Sequence, residues 1–164
     1  MLETRPLLLA TDFPKIMRAP LDTLQVNLGY LCNLSCTHCH VNAGPDRKEL
    51  MDLATIEVVL EFLVKRQVET LDLTGGSPEM NPNFKYLVRQ ARALGINVMD
   101  RCNPTILGEP GYEDVAEFLA DQQVLVIASM PCYQEQNVDK QRGKGVFCDS
   151  IAGLRELNSL GYGQ

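Results

Sequence analysis

The chain has 164 residues, of which 45% are hydrophobic, and its 21 acidic and 15 basic residues give a formal net charge of -6 at pH 7. This length and composition are sufficient for a globular domain with a sizeable core. The acidic balance argues against a broad basic surface that follows a phosphate backbone, so nucleic acid is not an expected partner.

The first 22 residues are interpreted as an irregular lead-in with at most one helical turn, because they contain three prolines and no sustained hydrophobic period. The only early apolar run, residues 7–10, is shorter than a secretory or membrane-spanning segment. We therefore expect a cytoplasmic protein with no membrane partner. Residues 23–164 are expected to form the folded domain.

Strand and helix patterns alternate along the rest of the chain, which predicts an α/β fold with parallel strands. Strands are predicted at residues 23–28, 70–73, 96–100 and 124–129, the last of them almost wholly apolar, as in a strand covered on both faces. Helices are predicted at residues 52–66, about 82–94, 113–122 and 147–160. Residues 134–145 are interpreted as a solvated loop, or alternatively as a rim loop that closes over a substrate. Four such βα units are too few to close a barrel of eight, so we expect a partial barrel, truncated after about four units.

The loop after the first strand carries Cys32, Cys36 and Cys39 at the spacing C-x3-C-x2-C. Three thiols this close together indicate a metal-ligand set rather than packing. Three kinds of site are compatible with them. They are an iron–sulfur cluster with one open iron, a structural zinc site completed by a histidine, and c-type haem attachment through the C-x-x-C-H motif that ends at His40.

Other unusual segments follow the later predicted strands. A glycine turn at residues 75–79 follows the second strand, residues 102–104 follow the third, and residues 130–133 follow the fourth. The carboxyl ends of parallel strands meet at one edge, where the sites of such folds gather. The sequence therefore predicts that these segments and the cysteine loop share one site.

These motifs resemble the radical S-adenosylmethionine (SAM) superfamily, whose cysteine signature and Gly-Gly-Glu-Pro segment are similar to residues 32–39 and to Gly-Gly-Ser-Pro-Glu at 75–79. The resemblance implies a radical SAM partial barrel. It also implies a [4Fe-4S] cluster on Cys32, Cys36 and Cys39, and SAM that is cleaved to a 5′-deoxyadenosyl radical. An electron donor such as flavodoxin or ferredoxin is the implied protein partner. The implied SAM contacts are His38, Gly75, Gly76, Ser77, Pro78, Glu79 and Ser129.

A narrower resemblance, to the arsenosugar-biosynthesis radical SAM proteins, lies in residues 23–29, 39–45, 75–81, 131–133 and 137–145. Members of that family are about twice as long, so the chain corresponds to their N-terminal half. The implied activity is transfer of the deoxyadenosyl group to dimethylated trivalent arsenic, with Cys132 and Cys102 as candidate substrate-binding thiols. The alternatives are a radical SAM enzyme acting on another small metabolite or a peptide, and a module that binds zinc or serves in redox chemistry.

Overall fold

The structure is a computed structural model that describes residues 3, 5–9, 11, 12, 14 and 16–163. Its strands are β1 (Thr23–Asn27), β2 (Thr70–Thr74), β3 (Asn97–Asp100) and β4 (Leu125–Val126). Its α-helices are α1 (Arg5–Leu9), α2 (Leu53–Arg66), α3 (Phe84–Ala93), α4 (Val115–Asp121), α5 (Glu135–Arg142) and α6 (Val146–Ser159). Two short 3₁₀ helices, Pro78–Met80 and Pro104–Gly108, follow β2 and β3.

The four strands form one sheet in the order β1-β2-β3-β4, and every neighbouring pair is parallel. At least one helix lies in each connection between consecutive strands, as parallel pairing requires. The predicted α/β fold with a parallel sheet is therefore confirmed. The parallel arrangement brings the segments that leave all four strands to the same edge.

Helix α2 shows how local sequence sets an element of this fold. Asp52 caps its N-terminus, where the side chain accepts a hydrogen bond from Thr55 N at 2.8 Å. The helix ends where Gln67 adopts a left-handed conformation, and its buried face carries Ile56, Leu60 and Leu63. The helix predicted from this spacing at residues 52–66 is confirmed.

A single apolar cluster joins the sheet to its helices. Leu71 and Leu73 of β2 are fully buried, as are Phe84 and Leu87 of α3, and α2 packs against the same cluster. Full burial of a side chain of this size contributes about 1.5–3 kcal/mol relative to exposure. This core supports β2 and β3, whose carboxyl ends carry the segments considered below. Among the described residues, no helix combines the length and apolar character needed to cross a membrane.

Two sequence-based expectations are wrong. The fourth strand covers only two residues instead of six, and Leu125 is 57% exposed, because β4 lies at the edge of the sheet with a neighbour on one side only. Residues 134–145 are not a loop, since most of them form α5. The carboxylate of Asp139 accepts hydrogen bonds from Gly145 N and Phe147 N and so joins α5 to the start of α6.

Candidate functional site

A cavity of about 330 Å³ opens at the carboxyl edge of the sheet. Every strand contributes to its lining through the segment that follows it, and α5 adds one residue, Arg142. The principal lining residues are Cys32, Cys36, His38, Cys39, His40, Gly75, Gly76, Arg101, Asn103 and Ser129. Three of the four predicted strand-end segments contribute to this lining, whereas residues 130–133 do not, and the segment after β4 contributes Ile127 and Ser129 instead.

The three clustered cysteines all line this cavity as free thiols. Cys32 is buried, and Leu34 N donates to its Sγ at 3.5 Å, while Ser77 Oγ lies 3.4 Å from the same sulfur. Ala43 N donates to Cys39 Sγ at 3.3 Å. Such donors stabilise a thiolate and tune the potential of a cluster bound to it. Burial raises the pKa of Cys36, and the nearby guanidinium of Arg142 acts in the opposite direction.

The glycine turn after β2 packs against the cysteine loop. A Cβ atom at Gly76 would lie 2.2 Å from Leu31 O, and one at Gly75, whose φ is +146°, would lie 2.6 Å from Gly29 O. Ser77 N donates to Leu31 O at 2.9 Å. Glycine is therefore required here because two backbone segments meet without room for a side chain. That both glycines also contact SAM stays a prediction.

Asn33 links the cysteine loop to the segments after β2 and β3. Its Nδ2 donates to Thr105 Oγ1 at 2.8 Å and to Glu109 Oε1 at 3.0 Å. Its Oδ1 accepts from Asn103 Nδ2 at 2.9 Å and from Ser77 Oγ at 3.2 Å. Sequence reasoning missed this residue, although its position directly after Cys32 was a usable signal.

Arg142 of α5 places a buried guanidinium against the cavity. Its Nη1 donates to Asn103 Oδ1 at 3.3 Å and its Nη2 donates to Ser129 Oγ, whereas the buried Nε has no hydrogen-bond partner among the described residues. A desolvated cation with a free donor favours an anionic group such as a carboxylate. The sequence suggests contact with a carboxylate as one alternative for residues 134–145, but does not predict the helix that positions Arg142.

A second arginine borders the cavity beside a buried carboxylate. Arg101 Nε and Nη2 bind Asp72 of β2, with Nη2 2.8 Å from Oδ2, and Gln25 Nε2 donates to the same carboxylate at 2.7 Å. Burial alone would raise the pKa of Asp72, but the hydrogen bonds from Arg101 and Gln25 outweigh it and hold the pKa below its usual value. The ion pair fixes the guanidinium at the cavity mouth.

Several predicted site residues lie elsewhere. Ser77, Pro78 and Glu79 are buried and do not line the cavity, and their contact with SAM stays a prediction. Cys102 is fully buried in the core, because Arg101 and Asn103 on either side face the cavity and the residue between them points away. Cys102 does not line the cavity, and its substrate-binding role stays a prediction.

Two more cysteines lie outside the cavity lining. Cys132 stands between β4 and α5, where Gln134 N and Asn137 Nδ2 donate to its sulfur at 3.5 and 3.6 Å. These hydrogen bonds lower its pKa. Cys148 is exposed near the start of α6.

The thiols of Cys32, Cys36 and Cys39 fit an iron–sulfur cluster with one open coordination position. They are the only cysteines in the described lining of the cavity, so a fourth thiolate is not available there, and space remains beside the three sulfurs. Soft thiolates with N–H donors to sulfur are the usual ligands and surroundings of such clusters. His38 and His40 also line the cavity, so the ligand chemistry of a Cys₃His zinc site is present too.

A family model described as the radical SAM superfamily matches residues 26–163. Among curated proteins, the chain is 27% identical over 154 residues to mycofactocin maturase MftC of Mycolicibacterium smegmatis. This match covers 94% of the chain and 38% of that protein. It is 33% identical over 146 residues to a "Probable GTP 3′,8-cyclase" of Metallosphaera sedula, covering 87% of the chain and 44% of the relative. The chain thus spans about two fifths of the length of these relatives.

Among solved structures, the fold is similar to Streptococcus suis SuiB bound to S-adenosylmethionine. The TM-score is 0.70 at 16% sequence identity, and the match covers 86% of the chain and 32% of SuiB. SuiB bound to its precursor peptide SuiA matches equally well, with a TM-score of 0.70 at 17% identity. At this level of identity the likeness shows the fold alone.

Proposed function

The chain belongs to the radical SAM superfamily, and we propose that Cys32, Cys36 and Cys39 hold the [4Fe-4S] cluster of an enzyme of that superfamily. Enzymes of this superfamily use such a cluster together with SAM. When bound, the cluster supplies the electron that cleaves SAM into methionine and a 5′-deoxyadenosyl radical. The observation that carries the proposal is the position of the three thiols on one wall of the strand-end cavity.

Other residues that line the cavity are suited to bind SAM. The free Nε of Arg142 and its cationic charge suit the carboxylate of the methionine moiety of SAM. His38 and Ser129 line the cavity at positions suited to the nucleoside part, and the Gly75–Gly76 backbone faces the same space. Arg142 is therefore expected to hold SAM, while the loop from β1 holds iron.

For the substrate we propose dimethylated trivalent arsenic, to which the enzyme adds the deoxyadenosyl group. The support is the motif resemblance to the arsenosugar-biosynthesis proteins, together with the chemistry of Cys132. Two donors to its sulfur favour the thiolate, which is a soft ligand of the kind that binds arsenic(III). Cys132 lies between Ser129 and Arg142 in sequence, both of which line the cavity.

A second candidate is a radical SAM enzyme that acts on a peptide or on another small metabolite. It is favoured by the fold likeness to SuiB, which was solved with a precursor peptide, and by the relatives named as a maturase and a cyclase. A product assay distinguishes these substrates from arsenic.

The test begins with anaerobic reconstitution of the protein with iron and sulfide. We expect about four irons per chain, loss of this iron in the Cys32→Ala, Cys36→Ala, Cys39→Ala triple variant, and weaker SAM binding in Arg142→Met. Cys148→Ala is the matched control, because that thiol is exposed and lies outside the cavity.

Products are then analysed by mass spectrometry after addition of SAM, reductant and dimethylarsinous acid. A deoxyadenosyl–arsenic adduct that depends on Cys132 supports the arsenic substrate. Stoichiometric zinc with no iron uptake would overturn the cluster assignment. Formation of 5′-deoxyadenosine without an arsenic adduct would refute only the substrate.

A further inference from the structure

A second group of metal-ligating side chains lies behind the cavity, apart from the cysteine loop. The ligand atoms of Glu79, Asp100 and Cys102 all lie within 4.8 Å of one another, and all three residues are buried. Glu79 belongs to the 3₁₀ turn after β2, Asp100 ends β3, and Cys102 follows two residues later. Two neighbouring strands therefore bring a thiol and two carboxyl groups together inside the core.

The two carboxyl groups have hydrogen-bonding contacts only within this cluster, between Glu79 and Asp100 and between Glu79 and Cys102. All four of their oxygens are buried, and none accepts a hydrogen bond from another group in the described part of the chain. Burial of an unpaired carboxylate is so unfavourable that buried acids are normally hydrogen-bonded, paired with a cation or coordinated to a metal. A cation bound between these side chains would compensate their charge.

The cationic side chains of the surrounding segments are engaged elsewhere. The Arg101 guanidinium pairs with Asp72, and Arg142 donates to Asn103 and Ser129. In the described residues, no ion pair reaches Glu79 or Asp100. The hydroxyl of Tyr162 donates to Val124 O and not to either acid.

We propose that Glu79, Asp100 and Cys102 bind a divalent metal ion of borderline softness such as Zn²⁺, at a site separate from the clustered cysteines. A thiolate with two carboxylates provides three ligands of the types found in zinc sites, and their ligand atoms all lie within 4.8 Å of one another, so small side-chain movements would bring them to one ion. The fourth position is left for a backbone oxygen or a water molecule. This inference is independent of the function proposed above.

Metal binding at this site is accompanied by proton release. Burial raises the pKa of Glu79, and burial together with the charge of Glu79 raises the pKa of Asp100. The pKa of Cys102 is raised by burial and by both neighbouring acids. The raised pKa values favour the protonated forms of the metal-free site, so Zn²⁺ competes with protons and its affinity is expected to increase with pH.

The bound ion would connect two segments whose neighbouring residues line the cavity. Gly76 lies three residues before Glu79, and Arg101 and Asn103 flank Cys102, so all three neighbours line the cavity. A link between the 3₁₀ turn Pro78–Met80 and the end of β3 holds these segments at a fixed spacing. The role of the ion is structural, since its three ligands are buried and none of them is among the residues that line the cavity.

The test uses the Cys32→Ala, Cys36→Ala, Cys39→Ala triple variant as the parent, so that the clustered cysteines cannot bind metal. We expect one zinc per chain by elemental analysis after dialysis, and a thiolate-to-cobalt charge-transfer band after exchange with Co²⁺. Further substitution of Cys102→Ala should abolish the band. Glu79→Gln and Asp100→Asn should each weaken Zn²⁺ binding by about tenfold or more.

Cys148→Ala in the same parent is the matched control and should retain both zinc and the cobalt band. Circular dichroism of each variant identifies chains that fail to fold. If Cys102→Ala does not fold, the loss of Zn²⁺ affinity in Asp100→Asn tests the site instead. A folded parent that binds neither zinc nor cobalt would overturn the proposal in favour of two carboxyl groups that share protons. Equal zinc content with and without Cys102 would overturn it as well.

Discussion

Replacement of Ser77 by alanine tests how the segment after β2 acts on the cysteine loop. Ser77 Oγ lies 3.4 Å from Cys32 Sγ and also donates to Asn33 Oδ1 at 3.2 Å. A protonated Cys32 can donate to the hydroxyl, but a metal-bound thiolate can only accept. We therefore expect the Ser77 hydroxyl to turn towards sulfur when the cluster binds, because Asn103 Nδ2 still satisfies the Asn33 oxygen.

The magnitude follows from this geometry. A hydrogen bond to a charged group contributes about 1.5–3 kcal/mol, and the bond strengthens when an added electron makes the cluster sulfur more negative. If the difference between the two oxidation states is about 1 kcal/mol, removal of the hydroxyl lowers a one-electron potential by about 40 mV, since 59 mV is a tenfold change. Ser77 is only 2% exposed, so water is a poor substitute for the hydroxyl.

Potentiometric titration of the reconstituted protein, followed by electron paramagnetic resonance, measures this shift. The matched control is Ser150→Ala, which removes another fully buried serine hydroxyl with no hydrogen-bond partner in the described structure. We expect Ser77→Ala to have the more negative potential at equal iron content, and Ser150→Ala to match the unmodified protein. Equal potentials for all three would refute the argument that Ser77 donates to the ligated sulfur.

Two further predictions concern the walls of the cavity. Gly76→Ala should abolish iron uptake and destabilise the chain by about 1–3 kcal/mol, because its Cβ would lie 2.2 Å from the backbone oxygen of Leu31, whereas Gly108→Ala meets no atom within 4 Å and should preserve uptake. Iron analysis and urea denaturation compare the two variants, and equal behaviour would contradict the steric explanation. Arg101→Gln should cost about 2 kcal/mol near pH 7 by leaving Asp72 partly unpaired. Because the folded-state pKa of Asp72 is lowered from its ordinary value of 3.8, its contribution is present above that ordinary value and is lost as pH falls through the folded-state pKa. Denaturation at several pH values should therefore show a shallower acid decline for Arg101→Gln, and parallel pH profiles would exclude Asp72 as the source.

The sequence predicts features that depend on periodicity or on short motifs. The α2 stripe that includes Ile56 and Leu63 is recognisable because its spacing follows the helical repeat, and the clustered cysteines are recognisable from their spacing. The burial of Cys102 cannot be predicted in this way, because the direction of a side chain just beyond a strand depends on where the strand ends. Helix α5 was missed because it contains one buried apolar residue, Val138, and is stabilised instead by contacts of Arg142 and Asp139.

The contacts of Asn33 explain why sequence motifs alone underdetermine this site. The cysteine loop has little regular structure of its own, yet Asn33 connects it to Ser77 after β2 and to Asn103 after β3. Asn103 in turn accepts a hydrogen bond from Arg142. One amide-centred network therefore fixes the loop that holds the thiols relative to the guanidinium proposed to bind SAM. Because these partners come from three separate segments, the spacing between the thiols and the cation depends on the formation of the sheet and not on the cysteine loop alone.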